Sequence, residues 1–388
     1  MARITSIESF RVPPRWIFVR VTTEDGLVGW GESIVPKRAR AVVGAIEDMA
    51  ANLRDTDAAR IEDIAQRLRR GAFFRGGPIL ATAAAGIEQA LWDIKGQKAQ
   101  MPVHDLLGGP VRDTLRGYAW IGGDNPSEVV EHARQRIEQG FTAVKMNATP
   151  ALALLAERDI IDAAAARLGA LRDAFGNTLD IALDLHGRVH RPALKALLAE
   201  IEQFHPMWVE EATLPENEES LVVLARAARS IPVATGERLT SRWDFKRVLD
   251  TGAVDIIQPD VSMTGLFELE KIARLGEIYD VAVAPHCPNG PISLAASLQV
   301  GFCCPNVVIQ EQSLGLHYHA GYAGLPRADL LDYLTDATPL TTVAGAFNVN
   351  RGVGLGISLN VDKIEQDHQA WWFPDADWTH PDGSYAEW

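Results

Sequence analysis

Cysteine is scarce in this chain. Only Cys287, Cys303 and Cys304 occur in 388 residues, and none belongs to a Cys-x-x-Cys pair. That argues against a disulfide framework and against a cysteine zinc site. Long apolar runs are missing too: no stretch approaches the roughly 18 residues that a membrane span needs. The opening residues, MARITSIESFRV, read as an alternating strand rather than as a basic-then-apolar export signal. Positive charge is in deficit, with 37 Lys and Arg against 51 Asp and Glu and a net charge of −14. An acidic chain does not favour nucleic acid or an anionic membrane surface. An anionic small molecule would need a local cation to offset that field. Hydrophobic residues at 47% and charged residues at 23% are the ordinary globular balance, which excludes a disordered or collagen-like chain. The expectation is a reduced, soluble, cytoplasmic protein, with no nucleic-acid and no membrane partner.

What is present is a change of texture along the chain. Residues 4–12, 16–22 and 27–32 predict three strands, and Asp25-Gly26 between the last two is a strong hairpin signal. Helical patterns follow over 38–53, 58–70 and 81–95, which suggests a small α+β domain. Gly76-Gly77-Pro78 breaks the helical run. From about Leu115, helix and strand patterns alternate. Asn125-Pro126-Ser127-Glu128 opens a helix, with a capping Asn, a Pro at the first position and a Glu three residues after the cap. Val130, Ala133 and Ile137 are expected on its inner face, and Gly140 ends it. Short apolar strands are predicted over 142–147, 182–185, 207–210, 233–235, 254–258, 281–285 and 307–310. Helices are predicted between them over 192–203, 219–229, 243–249, 266–279 and 292–302. Repeated helix–strand units imply a parallel sheet with helices outside, and seven or eight close a (β/α) barrel. The tail is rich in Gly, Pro, Asp and Trp, with short strands predicted over 340–343 and 355–359. It is expected to pack back on the first domain. The division read from this is 1–114, 115–320 and 321–388.

The informative feature is the position of polar residues within those units. Asp184, Glu210, Glu237, Asp260, His286 and Glu311 each fall at or just past the end of a predicted strand. Their separations of 26, 27, 23, 26 and 25 residues equal one βα unit each time. Strand ends surround one mouth of a (β/α) barrel, where such enzymes keep their active sites. A single acid after a strand is as well explained as a helix N-cap. Six successive units of this kind are not. Acids crowded at one mouth repel each other, and a hard divalent cation is the simplest compensation. Oxygen ligands favour Mg²⁺ over zinc. Asp184, Glu210 and Glu237 end three consecutive strands and are the candidate metal ligands.

Side chains two apart on a strand point the same way. His186 then shares a face with Asp184 if the strand runs that far, and Asn147 shares a face with Lys145. His186 reads either as a polar residue near a turn or as part of the chemistry. Asp260 beside His286 reads either as a base dyad, with the carboxylate fixing the tautomer, or as a buried structural pair. Glu211 points away from Glu210 and is a candidate ion-pair partner. Gly352-Val353-Gly354-Leu355-Gly356 lacks a following helix and reads as a turn, not a phosphate cradle. His317-Tyr318-His319 reads as a loop, and the cluster Trp371, Trp372, Trp378 and Trp388 as packing.

These residues carry a resemblance. Lys145-x-Asn147, Asp184-x-His186, Glu210-Glu211, Gly236-Glu237-Arg238, Gln258-Pro259-Asp260 and Pro285-His286 resemble the ladder of the enolase superfamily, mandelate racemase subgroup. VPPRW at 12–16, GWGE at 29–32, FRGGP at 74–78, GERLTSRWDFKRVL at 236–249, APHCPNGPI at 284–292 and QEQSLGLHY at 310–318 are similar to its sugar-acid dehydratases, those acting on galactonate above all. The resemblance spans essentially the whole chain. It implies an α/β fold, a (β/α)₇β modified TIM barrel with an α+β capping domain formed from both termini. It implies Mg²⁺ on Asp184, Glu210 and Glu237, and a hydro-lyase of sugar acid catabolism. The implied reaction dehydrates an aldonic acid, D-galactonate in first place, to a 2-keto-3-deoxy acid. His286 with Asp260 would be the base at C2, His186 the acid at the leaving 3-hydroxyl, and Glu311 a neighbour of the carboxylate oxygens. Lys145 would add positive charge. Asn147, Glu237, Arg15 and Phe74 would contact substrate, and a homo-oligomer follows by analogy.

The chain departs from that pattern at Ala212, where Pro is usual after the two Glu. It departs again at Phe74 in place of Tyr and at Asn289 in place of an apolar residue. The loop at 262–266 is one glycine short. Other readings are a racemase or epimerase of a 2-hydroxy acid, a dehydratase of another aldonate or aldarate such as gluconate, and a non-catalytic sugar-acid binding protein. Asn147 counts against the racemase, because a lysine there would supply a second base.

Overall fold

The structure, a computed structural model, describes residues 2–150, 155, 157–217, 219–315, 328–368, 379–380 and 382–386. His317-Tyr318-His319 and the four tail tryptophans lie outside the described residues. An antiparallel sheet comes first: β1 (Ile4–Val12), β2 (Trp16–Thr23) and β3 (Val28–Ser33), in that order. It is followed by α1 (Ala39–Leu53), α2 (Ile61–Arg70), α3 (Pro78–Ala99) and the short α4 (Val103–Leu106). α3 lies directly on the sheet. Gly31 makes that approach possible, since a β-carbon there would overlap the Gly86 carbonyl.

The alternating part then begins. β4 (Thr114–Trp120) leads to α5 (Pro126–Glu138), β5 (Ala143–Asn147), α6 (Arg158–Phe175), β6 (Asp180–Asp184) and α7 (Arg191–Ile201). β7 (Trp208–Glu210), α8 (Ser220–Ala228), β8 (Val233–Thr235), α9 (Arg242–Asp250) and β9 (Ile256–Ile257) continue it. α10 (Val261–Thr264), α11 (Leu266–Ile278), β10 (Ala282–Val283), α12 (Pro291–Cys303) and β11 (Gln310–Gln312) complete it. β4 to β10 lie in sequential parallel order, and β11 returns to pair with β4. The ring closes on the other side through Val283, which bridges Val307 in parallel and bonds Asn306 and Val308 at 2.8 and 2.9 Å. Eight strands with helices between them thus form a closed (β/α)₇β barrel.

One inward side chain from nearly every strand fills the barrel: Tyr118, Ala143, Ala182, Trp208, Ala234, Ile256, Ala284 and Ile309. Alanines opposite two large rings keep the volume right, and Tyr118 meets Trp208 edge-on at 5.6 Å. This plug is the floor of the mouth above it. α12 is buried along its whole length, because the barrel lies on one side and the cap on the other.

The tail contacts both parts. β12 (Ala346–Asn348) pairs antiparallel with β4. α13 (Val361–Asp367) and the turn before it reach the cap, where Tyr333 Oη donates to the Pro13 carbonyl at 3.0 Å. The Gly352–Gly356 segment also packs on the cap: Leu355 N donates to Asp93 at 3.0 Å.

Several local expectations change. α6 has no counterpart in the predicted helices. Val129 and Ala133 form the buried face of α5, while Ile137 is exposed. Residues 338–340 form a 3₁₀ turn rather than a strand, and only Val343 of 340–343 makes a bridge, to Ala346. Pro339 supplies no N–H for a ladder there. In 355–359 only Leu359 makes a bridge, to Leu334.

Candidate active site

The mouth is built by strand ends in register. Asn147, Asp184 and Glu210 close β5, β6 and β7, where Asn147 pairs with Asp184 and Asp184 with Glu210. Glu237 lies two residues beyond β8, and Asp260 and His286 three residues beyond β9 and β10. Glu311 lies inside β11. β6 ends at Asp184, so His186 does not reach its place by strand alternation. It sits in a left-handed turn, φ 49°, with Nε2 3.1 Å from Asp184 Oδ2.

Lys145, pointing in from β5, is the fixed cation. Its Nζ lies 2.6 Å from Glu210 Oε1, 2.7 Å from Glu311 Oε1 and 3.6 Å from Asp184 Oδ2. Burial opposes its charge, but Glu210 and Glu311 outweigh burial and raise its pKa well above that of an ordinary lysine. It stays protonated and is no base. Trp208 Nε1 and Gln258 Nε2 both donate to Glu210 Oε2, at 2.6 and 2.8 Å. Glu311 Oε2 accepts from Cys287 N at 2.8 Å. Burial, with Asp184 and Glu311 adding to it, pushes Glu210 up to about 7 against the pull of Lys145.

On the far side, His286 Nδ1 lies 2.7 Å from Asp260 Oδ2 and its Nε2 3.4 Å from Glu237 Oε2. Asp260 does two jobs: Oδ1 caps α10 by accepting from Ser262 N at 2.7 Å, and Oδ2 holds the histidine. Burial works against the Asp260 charge, but the bonds from His286, Ser262 and Asn289 hold its pKa below the usual range. His286 is the reverse case: burial lowers it, and Glu237, Glu311 and Asp260 drive it up to about 10. Burial, followed by the Arg188 charge, takes His186 down to about 3. Glu237 makes its ion pair with His286, and burial raises it to about 8.

These facts test the fit of a cation. Side-chain atoms of Asp184, His186 and Glu237 lie within 4.8 Å of one another. Five buried or half-buried carboxylates, Asp184, Glu210, Glu237, Asp260 and Glu311, ring the mouth, only three of them meet Lys145, and three, Asp184, Glu210 and Glu237, are raised toward neutrality. Oxygen-rich donors with uncompensated charge suit a hard divalent ion. Glu210 stands beside the cluster with its oxygens turned to Lys145, Trp208 and Gln258. Each carboxylate oxygen has a second lone pair, so Glu210 Oε1 can bind an ion besides Lys145.

Three more residues are expected to contact substrate. Asn147 Oδ1 is buried and has no hydrogen-bond partner among the described residues. Arg15, in the turn between β1 and β2, is 5% exposed and donates to the Pro288 carbonyl at 2.8 Å. Phe74 belongs to the cap. It is 86% exposed on the loop after α2, beside a cavity of about 830 Å³ that Arg70, Leu80 and Trp243 also line. Glu211 turns away from Glu210, to Arg238 at 2.6 Å and Thr235 at 2.7 Å. Trp208, Ser262 and Asn289 carry contacts that charge patterning does not reveal. Trp208 was within reach of the sequence, two residues before Glu210 on the same strand face.

Residues 5–108 match the family described as mandelate racemase / muconate lactonizing enzyme, N-terminal domain, and residues 128–363 match the enolase C-terminal domain-like family. The chain belongs to the enolase superfamily, in its mandelate racemase subgroup. Within the family it is 45% identical to a D-galactonate dehydratase of Pectobacterium atrosepticum and 44% identical to one of Ralstonia pickettii, each over 100% of both chains. The solved structure of a mandelate racemase/muconate lactonizing enzyme from Jannaschia sp. CCS1 superposes with TM-score 0.83 at 30% identity, covering 94% of this chain and 97% of that one. No helix among the described residues is long and apolar enough to cross a membrane.

Proposed function

We propose that this protein dehydrates an aldonic acid, D-galactonate before others, to the 2-keto-3-deoxy acid. Asp184, Glu210 and Glu237 would hold Mg²⁺. The observation that carries the reading is the placement of two histidines across one acid cluster. His186 follows β6 and His286 follows β10, four strands apart in a ring of eight, and Glu237 approaches both. Full-length similarity to D-galactonate dehydratases supports the same chemistry.

A proton α to a carboxylate is hard to remove, because a second negative charge develops on an anion. Mg²⁺ on Asp184, Glu210 and Glu237 would supply positive charge against that build-up and would offset the surrounding carboxylate charge that raises His286. Lys145, held between Glu210 and Glu311, adds a fixed positive charge that needs no reorganisation. Asp260 Oδ2 accepts a hydrogen bond from His286 Nδ1–H, so Nε2 is the atom that takes the C2 proton. Departure of the 3-hydroxyl needs a proton from the other side, which is the place of His186. Its imidazole is neutral before substrate enters, and the anionic substrate must raise its pKa for it to donate. The buried Asn147 Oδ1 is available to a substrate hydroxyl. Asn147 also leaves β5 without a second lysine base, which disfavours a racemase. The reading extends to a cytoplasmic homo-oligomer, with a barrel over 115–320 capped by 1–114 and 321–388.

The test is incubation with D-galactonate, D-gluconate and aldaric acids in MgCl₂, with colorimetric detection of 2-keto acid. Galactonate should give product, EDTA should stop it, and His286→Asn should lower turnover by at least about 10³-fold. Optical rotation that changes while no keto acid forms would establish the racemase instead.

A further inference from the structure

The loop between β10 and α12 carries His286, Cys287, Pro288, Asn289 and Gly290. Asn289 is 2% exposed and points back at the dyad. Its Nδ2 lies 3.0 and 2.9 Å from Asp260 Oδ1 and Oδ2 and 3.3 Å from Ser262 Oγ. Ser262 binds Oδ1 alone, through N and Oγ, both at 2.7 Å. His286 binds Oδ2 alone. Among the described residues, Asn289 is therefore the one side chain that touches both oxygens. This matters because the terminal torsion of an Asp is soft and broad. A carboxylate held on one oxygen can swing the other, whereas a donor between both oxygens fixes its plane.

The loop is itself held from three sides. Ser313 Oγ donates to the Asn289 carbonyl at 2.6 Å. From the cap, Arg15 donates to the Pro288 carbonyl at 2.8 Å, and Glu32 Oε1 accepts from Gly290 N at 2.6 Å. Asn289 thus sits between two cap contacts, one residue away on each side.

We propose that Asn289 is a positioning residue: it fixes the plane of the Asp260 carboxylate, and through it the ring of His286, from a loop that Arg15 and Glu32 anchor to the cap. The kinetic part of this inference rests on the dehydratase reading; the spectroscopic part does not.

Asn289→Leu keeps the branched shape of the side chain and removes both donors. With D-galactonate and Mg²⁺, kcat should fall roughly 10–100-fold, as when the partner that orients a site residue is removed, while KM stays within about twofold. Ser262→Ala removes a donor from Oδ1 only and should cost less than about threefold. In NMR spectra of the substrate-free protein, the downfield Nδ1–H proton of His286 should be sharp in wild type and in Ser262→Ala, and broadened or lost in Asn289→Leu. Should the leucine variant not fold, Asn289→Ser makes the same test, since its short hydroxyl cannot span both oxygens. A kcat within twofold of wild type, or an unchanged Nδ1–H signal, overturns the proposal. A wild type inert towards every aldonate defeats the substrate reading alone, and the NMR comparison still judges Asn289.

Discussion

Lys145 shows how much one side chain can carry in this site. It is 2% exposed and meets three carboxylates from three different strands. Lys145→Met would leave Glu210 and Glu311 buried without their cation. Removing one partner of such a group costs about 3–5 kcal/mol. Urea unfolding of the variant should show a loss of that order, and turnover should fall below detection. The charged members of the cluster were legible in the sequence because they recur once per βα unit, and a spacing near 26 residues is hard to produce by caps alone. The neutral members were not. Gln258, Ser262 and Asn289 carry no charge and act only through atoms that folding brings together. Asn289 stood out as a departure from the family pattern, but nothing in the sequence said that it would reach Asp260. His186 marks the opposite limit: strand alternation predicted its face, and a left-handed turn put it there instead.

Among elements, the cap meets the barrel through buried acids seated on helix starts. Glu32, from β3, accepts from Gly290 N and Ser293 N at the beginning of α12, at 2.6 and 3.0 Å. Glu88, from α3, accepts from Leu266 N and Phe267 N at the beginning of α11, at 2.7 and 2.9 Å. Helix N-termini present unpaired N–H groups and a partial positive charge, so a carboxylate from another element is a natural cap. Glu32→Gln would turn one acceptor into a donor facing an N–H. Chemical denaturation should report a loss of about 1–3 kcal/mol. The three strands of the cap and most barrel helices were legible because their apolar period is clear. α6 was not, because alanines at 163–166 give little contrast between its faces, although Ile161, Ala164, Leu168 and Leu171 do line the buried one. β8, β9 and β10 have only two or three residues, too few for a pattern to fix their ends.

At the scale of the whole molecule, buried acids tie stability to pH. Burial raises Glu32 and Glu88 to about 7, Glu210 to about 7 and Glu237 to about 8. Each then binds its proton more tightly folded than unfolded, so stability falls as pH rises from the unfolded value near 4.5 to the folded one. His286, raised to about 10, acts in the same direction above its unfolded value of 6.5. His186, lowered to about 3, adds stability only as pH rises to 6.5 and nothing beyond. Between pH 6.5 and 8 the terms therefore align. The melting temperature of the metal-free protein should drop across that window, with each group contributing up to about 1.4 kcal/mol per pH unit. Saturating Mg²⁺ should flatten the part due to Glu210 and Glu237, and Glu32→Gln should flatten a further part. A melting temperature that climbs from pH 6.5 to 8 would contradict these assignments. The aromatic plug has a consequence of its own. Tyr118 and Trp208 stopper the barrel directly below the acids, so among the described residues the way through its bottom is shut and the mouth is the doorway. Whatever enters must be gone before the next molecule can follow, and a departing product competes with incoming substrate for the same threshold.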